Sequence, residues 1–272
     1  MEEGEGEEEG EVRTRVAIIG GGVVGLSILR HLTCLTKLAE PPILVEGEPH
    51  LLMRASGNNS GISCTGTDAP LHSLERALIR DSISNLRHHL QKFNLPNRPV
   101  GSLVCEWAAE DDAGGVSERR SVSKSLVSVL DESVQAGDEA TLLSAEQTLE
   151  LEPNINARRI VGAVHVKGEI VLDPWLVPIS YASEAVENGA RILTNFRVIR
   201  ATKESALWKL EASTGRVVFA DVVISCCGNE ADNMFSTLKN DGEAAPFTNK
   251  PRLGQYCIFE KSDLLKRVLQ VL

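Results

Sequence analysis

Residues 16–25 read VAIIGGGVVG, and residues 43–46 read ILVE. Val16, Ala17, Ile18 and Ile19 have the composition of a short buried strand. The glycines that follow each answer a mechanical need. Gly20 lets the chain turn sharply off the strand, Gly22 lets backbone approach a pyrophosphate, and Gly25 lets a helix pack closely on the sheet. Leu26, Leu29, Leu32 and Leu35 repeat at helical spacing, which predicts a first helix from Val23 to Lys37. The free N–H groups at its start, with the positive end of the macrodipole, suit phosphates. Ile43 to Val45 is a second strand, and Glu46 ends it 21 residues after Gly25. An acidic side chain there can accept both ribose hydroxyls of an adenosine. Strand, glycines, helix, strand and terminal acid in one unit predict a dinucleotide site.

Composition sets the outer bounds. The chain has 272 residues, 4% aromatics and a net charge of −10, a balance that argues against nucleic acid as a partner. Seven glutamates within residues 1–11 form a like-charged tail expected to be disordered. It is the opposite of an Arg-rich transit peptide, and no apolar signal region follows it. No apolar run is long enough to be a transmembrane segment. The six cysteines have no C-x-x-C spacing, so reduced thiols in an intracellular protein, cytoplasmic or mitochondrial, are expected.

Beyond Glu46, residues 54–61 (RASGNNSG) are small, polar and rich in backbone amides, which suits a second contact with the same ligand. Pro70 to Phe93 reads as a long amphipathic helix with Leu71, Leu74, Leu78, Leu86, Leu90 and Phe93 on its apolar face. His88 and His89 are adjacent, so they point to different faces and read as solvated residues rather than metal ligands. Asn94 to Pro99 is a linker, Gly101 to Trp107 a strand, Glu110 to Arg120 a surface loop, and a helix ends near Gly137. Ser144 and Gln147 form a capping-box pair.

Strands are expected over Ile160 to Val166 and Glu169 to Leu172, with Asp173 as N-cap and Pro174 as first residue of a helix ending at Gly189. Arg191 to Thr202, Leu207 to Ala212 and Arg216 to Phe219 carry hairpin patterning. Asp221 to Ser225 reads as a continuous strand buried on both faces, ending at Cys226-Cys227-Gly228. A nucleotide-binding sheet is thus interrupted by an inserted unit and resumed.

Four blocks now carry a resemblance: residues 18–25 with Glu46, 55–66 (ASGNNSGISCTG), 168–175 (GEIVLDPW) and 222–232 (VVISCCGNEAD). A fifth, residues 251–260 (PRLGQYCIFE), resembles the strand that begins the second part of a substrate domain. In this order they resemble a flavoprotein of the D-amino-acid oxidase superfamily, most closely its FAD-dependent glycerol-3-phosphate dehydrogenase branch. The resemblance implies an α/β fold. A Rossmann-like FAD-binding domain with a three-layer sheet spans 12–95 and 168–240, and an inserted α+β substrate (cap) domain spans 96–167 and 241–272. It also implies tightly held FAD. Gly20, Gly22 and Gly25 would bind the pyrophosphate and Glu46 the adenosine ribose. Ser56, Asn59, Ser60 and Gly61 would line the ribityl and flavin side. Val198 would meet the adenine through its backbone, and Gly228 would close over the pyrophosphate.

The implied chemistry is hydride transfer from a small-molecule substrate to flavin N5, then electron transfer to an acceptor the sequence does not identify. Catalytic residues are not implied. Relatives that oxidise 2-hydroxy acids often carry histidine where Cys64 stands, which favours the glycerol-phosphate branch. Cys64 itself reads as a packed small residue. Alternatives are an amine, amino-acid or 2-hydroxy-acid oxidoreductase of the same superfamily, or an inactive FAD-fold protein. Family members continue beyond the point matching Leu272, so a fold incomplete at the C-terminus is expected.

Overall fold

Eight residues, Val12–Ile19, form the strand β1 at the centre of the molecule's largest sheet. The computed structural model describes residues 11–34, 40–108, 122–239, 244–255 and 268–271. Residues 1–10 of the acidic tail, the last turn of the first helix at 35–37, the loop at 110–120 and residues 256–260 lie outside the described residues.

The chain divides into two units, residues 1–59 with 174–255 and residues 60–173 with 256–272. The first contains the six-stranded sheet. β1 pairs in parallel with β2 (Ile43–Val45) on one side and β12 (Val217–Ser225) on the other, and β2 pairs in parallel with β9 (Arg191–Leu193). Beyond β12 the sheet continues antiparallel through β11 (Leu207–Ala212) to β10 (Val198–Glu204). Alternation along β1 sends successive side chains to opposite faces. Ile18 packs with Leu26 and Leu29 of α1 (Val23–Cys34) and with Ala182 and Ala185 of α5 (Leu176–Glu187). Ala17 and Ile19 join Val45, Phe196, Leu210 and Val218 on the other face, against which Met234 and Leu238 of α6 (Ala231–Lys239) pack. Helices on both faces of a largely parallel sheet make the three layers expected of a Rossmann-like α/β fold.

The second unit is α+β. Its larger sheet runs β13-β5-β7-β6, with β5 (Ser102–Trp107), β7 (Ile160–Val166) and β6 (Ala140–Ser144) antiparallel and β13 (Val268–Val271) parallel to β5. A smaller sheet joins β3 (Ile62–Ser63), β8 (Ile170–Leu172) and β4 (Asn97–Arg98). Because β8 pairs with both β3 and β4, residues 60–95 and 168–173 fall in this unit. The expected division, with 12–95 and 168–240 together, places them in the first. The capping box of Ser144 and Gln147 opens α4 (Ala145–Leu151).

Four expectations need correction. The helix α2 (Leu74–Lys92) buries Leu90 as expected but leaves Leu74 and Leu78 exposed and buries Arg76 and His89. Arg76 occupies the apolar stripe because its guanidinium donates to the carbonyls of Ala69 and Glu132. His89 is not solvated; it is buried with its ring 4.6 Å from that of Phe93. Asp173 does not cap α5, which starts after Trp175 without a side-chain cap. Residues 216–219 and 221–225 are not separate elements but form β12, and its second half is not buried on both faces. β11 leaves the ladder at Ala220, so from Asp221 onward β12 has a strand on one edge only among the described residues, and Val222 is 50% exposed.

Candidate functional site

At the carboxyl ends of β1, β2 and β12, within the first unit, lies a cleft of about 390 Å³. This is the place where an open α/β sheet binds ligands, because the connections from β1 and β12 diverge there and leave a crevice. Gly20 makes its floor. Its φ of +114° belongs to glycine, and a Cβ there would stand 2.5 Å from the Cys226 carbonyl oxygen. Gly25, outside the lining, holds α1 against the turn: a Cβ there would stand 2.0 Å from the Gly20 carbonyl oxygen. Gly22 accepts from the N–H of Leu26, and the Ser56 hydroxyl accepts from the N–H of Val23 at 3.0 Å. A short polar side chain thus sits on one of the first N–H groups of α1, 3.0 Å from where a Cβ at Gly22 would stand.

Glu46 is engaged with the glycine turn. One carboxylate oxygen accepts the Gly21 N–H at 2.5 Å and the other accepts the Glu48 N–H at 2.8 Å. Each oxygen keeps a further lone pair, so a ribose hydroxyl can still be accepted. On the opposite side Gly228 has a φ of +52° and an open Cβ direction, and its carbonyl is braced by the Asn249 amide at 3.2 Å.

Charge is concentrated on the solvent side. Glu48 accepts from Arg54 at 2.5 Å and from Arg197 at 3.0 Å, Arg197 reaches Glu230 at 3.1 Å, and Arg54 stands 3.9 Å from Glu230. The hydrogen bond from Arg54 holds the Glu48 carboxyl below its ordinary range, with Arg197 adding to it. Burial pushes the Cys226 thiol up to about 11 and raises Cys227, so neither lining cysteine is a thiolate at neutral pH. Burial, with the carboxylates of Asp68 and Glu169, raises Cys64 as well. Among the described residues no group of three or more His, Cys, Asp or Glu could hold a metal ion. Nor is any described helix long and apolar enough to cross a membrane.

Of the residues singled out in the sequence, Gly20, Gly22, Glu46, Ser56, Val198 and Gly228 line this cleft. Asn59 does not; its amide folds back onto the carbonyls of Ala55 and Ser56. Ser60 and Gly61 belong to the second unit, where the Gly61 carbonyl accepts from Leu172 at 2.8 Å. Arg54 opens the stretch 54–61 read as a second ligand contact, whereas Glu48, Arg197 and Glu230 were missed. They come from separate parts of the chain, and only the tertiary fold brings them together.

The family described as FAD dependent oxidoreductase (DAO) matches residues 15–271 of this chain. A glycerol 3-phosphate dehydrogenase of Caloramator mitchellensis is 30% identical over 258 residues, covering 93% of this chain and 49% of that protein. This chain therefore spans about half the length of that relative. Two solved structures share the fold. The L-alpha-glycerophosphate oxidase of Mycoplasma pneumoniae, dithionite-reduced with FAD bound, superposes with a TM-score of 0.65 at 24% identity, covering 84% of this chain and 57% of that one. Glycine oxidase of Geobacillus kaustophilus gives a TM-score of 0.72 at 17% identity, covering 96% of this chain and 66% of that one.

Proposed function

The chain belongs to the DAO family of FAD dependent oxidoreductases, and from that premise we propose that it serves the oxidation of glycerol 3-phosphate, or a similar small anionic alcohol, with FAD held in the cleft of the first unit. The observation that carries the substrate reading is the 30% identity to a glycerol 3-phosphate dehydrogenase across 93% of this chain. The cofactor reading rests on the cleft itself. Its floor is backbone that a side chain would block, an acid stands at the end of β2, and the start of α1 faces the same space. Those are the donors and acceptors that a pyrophosphate and a ribose require.

FAD held here would supply the redox chemistry, acceptance of a hydride from the carbon that bears the hydroxyl and passage of two electrons to an acceptor. The work of this chain's residues is binding and orientation. Gly20 and Gly22 let backbone N–H groups reach the pyrophosphate, and the α1 macrodipole favours its charge. Glu46 accepts ribose hydroxyls while keeping the glycine turn in place. Gly228 closes the opposite wall.

Purified chain supplied with FAD should retain yellow flavin through dialysis, and the retained flavin should bleach anaerobically on addition of glycerol 3-phosphate. Retention without bleaching by glycerol 3-phosphate, but with bleaching by 2-hydroxyglutarate or an amino acid, would move the substrate to another branch. Failure to retain flavin would remove the cofactor from this cleft.

A further inference from the structure

Four charged side chains on the solvent side of the cleft come from separate segments: Glu48 and Arg54 follow β2, Arg197 precedes β10, and Glu230 follows β12. β2 and β12 flank β1 on opposite sides, so bonds between these segments cross the ends of the strands that form the floor. Glu48 is the hub, bonded to both arginines, and Arg197 bonds to both glutamates. Gly47 leaves the room that this requires: a Cβ there would meet Arg197 at 3.3 Å from its Cβ and 3.5 Å from its guanidinium carbon. The arginine therefore lies over the backbone between Glu46 and Glu48 rather than extending into solvent.

Simple attraction does not account for the set. Counting Glu46, the five charged groups of the lining are three carboxylates and two guanidiniums, a net negative rim around a cleft read as binding an anionic pyrophosphate. A rim selected to attract the cofactor would have the opposite sign. The alternating connectivity of Arg54, Glu48, Arg197 and Glu230 instead fits a tie between walls. We propose that these four side chains form a strap across the mouth of the cleft, and that opening it limits the rate at which FAD leaves. The inference rests on the cofactor reading for its ligand and on the ion-pair geometry for its mechanism. A single exposed ion pair contributes little, but Glu230 holds both contacts that reach the β12 side, from Arg197 at 3.1 Å and from Arg54 at 3.9 Å, so removing it cuts the link, and removing Arg197 leaves only the longer contact.

The test compares Arg197→Gln and Glu230→Gln with the unaltered chain. Flavin release after dilution is followed by the recovery of FAD fluorescence, and amide exchange of residues 46–54 and 228–231 is measured in cofactor-free protein. The strap requires both variants to speed release by roughly two- to fivefold and to speed exchange in both segments. Glu230→Gln is the decisive member, because plain electrostatics predicts slower release of an anionic ligand when a negative charge is removed. Slower or unchanged release in that variant, or unchanged exchange, would overturn the strap. If the unaltered chain binds no FAD, the cofactor reading fails, and exchange alone still decides whether the walls are tied.

Discussion

The Glu46 carboxylate accepts the Gly21 N–H at 2.5 Å, so the acid at the end of β2 is bonded directly to the glycine turn at the end of β1. Its second oxygen takes the Glu48 N–H and shapes the next loop. One side chain therefore holds two backbone segments of the cleft before any ligand arrives. Preorganisation of this kind lowers the ordering cost of binding. Glu46→Ala leaves both N–H groups without this partner and removes the ribose acceptor. FAD affinity should fall by about 1–3 kcal/mol, the range for losing charge-assisted hydrogen bonds. Equilibrium flavin titration checks this, and an unchanged affinity would take Glu46 out of the binding site.

Gly25 and Gly228 differ in what a methyl group would meet. At Gly25 it would lie 2.0 Å from the Gly20 carbonyl oxygen, contact that only separation of α1 from the turn could relieve. Gly25→Ala should cost at least about 3 kcal/mol of stability. At Gly228 nothing lies within 4 Å and only the φ of +52° opposes a side chain. Gly228→Ala should cost about 1–2 kcal/mol. Urea unfolding of the two variants gives the comparison, and equal losses would contradict it.

Much of the first unit could be read from residues whose roles are local. The glycines after Ile19, the leucine spacing of α1 and the acid ending β2 all act within one strand–helix–strand unit, and the structure has them where expected. Ser144 and Gln147 are as local, three residues apart. The readings failed where a distant partner decides. The leucines of α2 suggested one face, but Arg76 takes the buried stripe because Ala69 and Glu132 offer carbonyls from outside the helix. Asp221 to Ser225 has the apolar run of a central strand, yet its exposure depends on where β11 ends. The charged rim was illegible for the same reason, since no spacing relates Glu48 to Arg197 or Glu230.

Arg76 makes that dependence measurable. The residue is 3% exposed and bonds the Ala69 carbonyl at 3.2 Å and the Glu132 carbonyl at 3.2 Å, with the Glu132 carboxylate at 3.4 Å. It ties α2 to the helix α3 (Lys124–Gln135) and to the loop before α2. Arg76→Leu fits the apolar stripe but orphans the carbonyls, while Glu132, 40% exposed, can turn to water. A loss of about 2–3 kcal/mol is expected, read from urea midpoints. A neutral or stabilising result would mean that the stripe wanted an apolar residue after all.

Glu169 should make the stability of the second unit depend on pH. It is 1% exposed, and its carboxylate accepts the Thr65 N–H only at the long distance of 3.4 Å. Burial raises its pKa; the carboxylates of Asp68 and Asp138 add to the rise, while the Ser102 hydroxyl and the Thr65 N–H offset part of it. The folded chain therefore binds this proton more tightly than the unfolded chain does. At pH below the ordinary carboxylate range both states are protonated, and Glu169 makes no pH-dependent contribution. As pH rises towards the raised value, the unfolded chain sheds the proton first, so stability falls across that interval and levels above it. Glu169→Gln keeps the shape and removes the ionisation. Relative to this variant, the unaltered chain should lose stability steadily as pH rises from the ordinary carboxylate range through the raised value. Urea midpoints of both proteins at closely spaced pH values would show the divergence. Parallel curves would mean that Glu169 is ionised in the folded state and that its burial is compensated by partners stronger than Thr65 and Ser102.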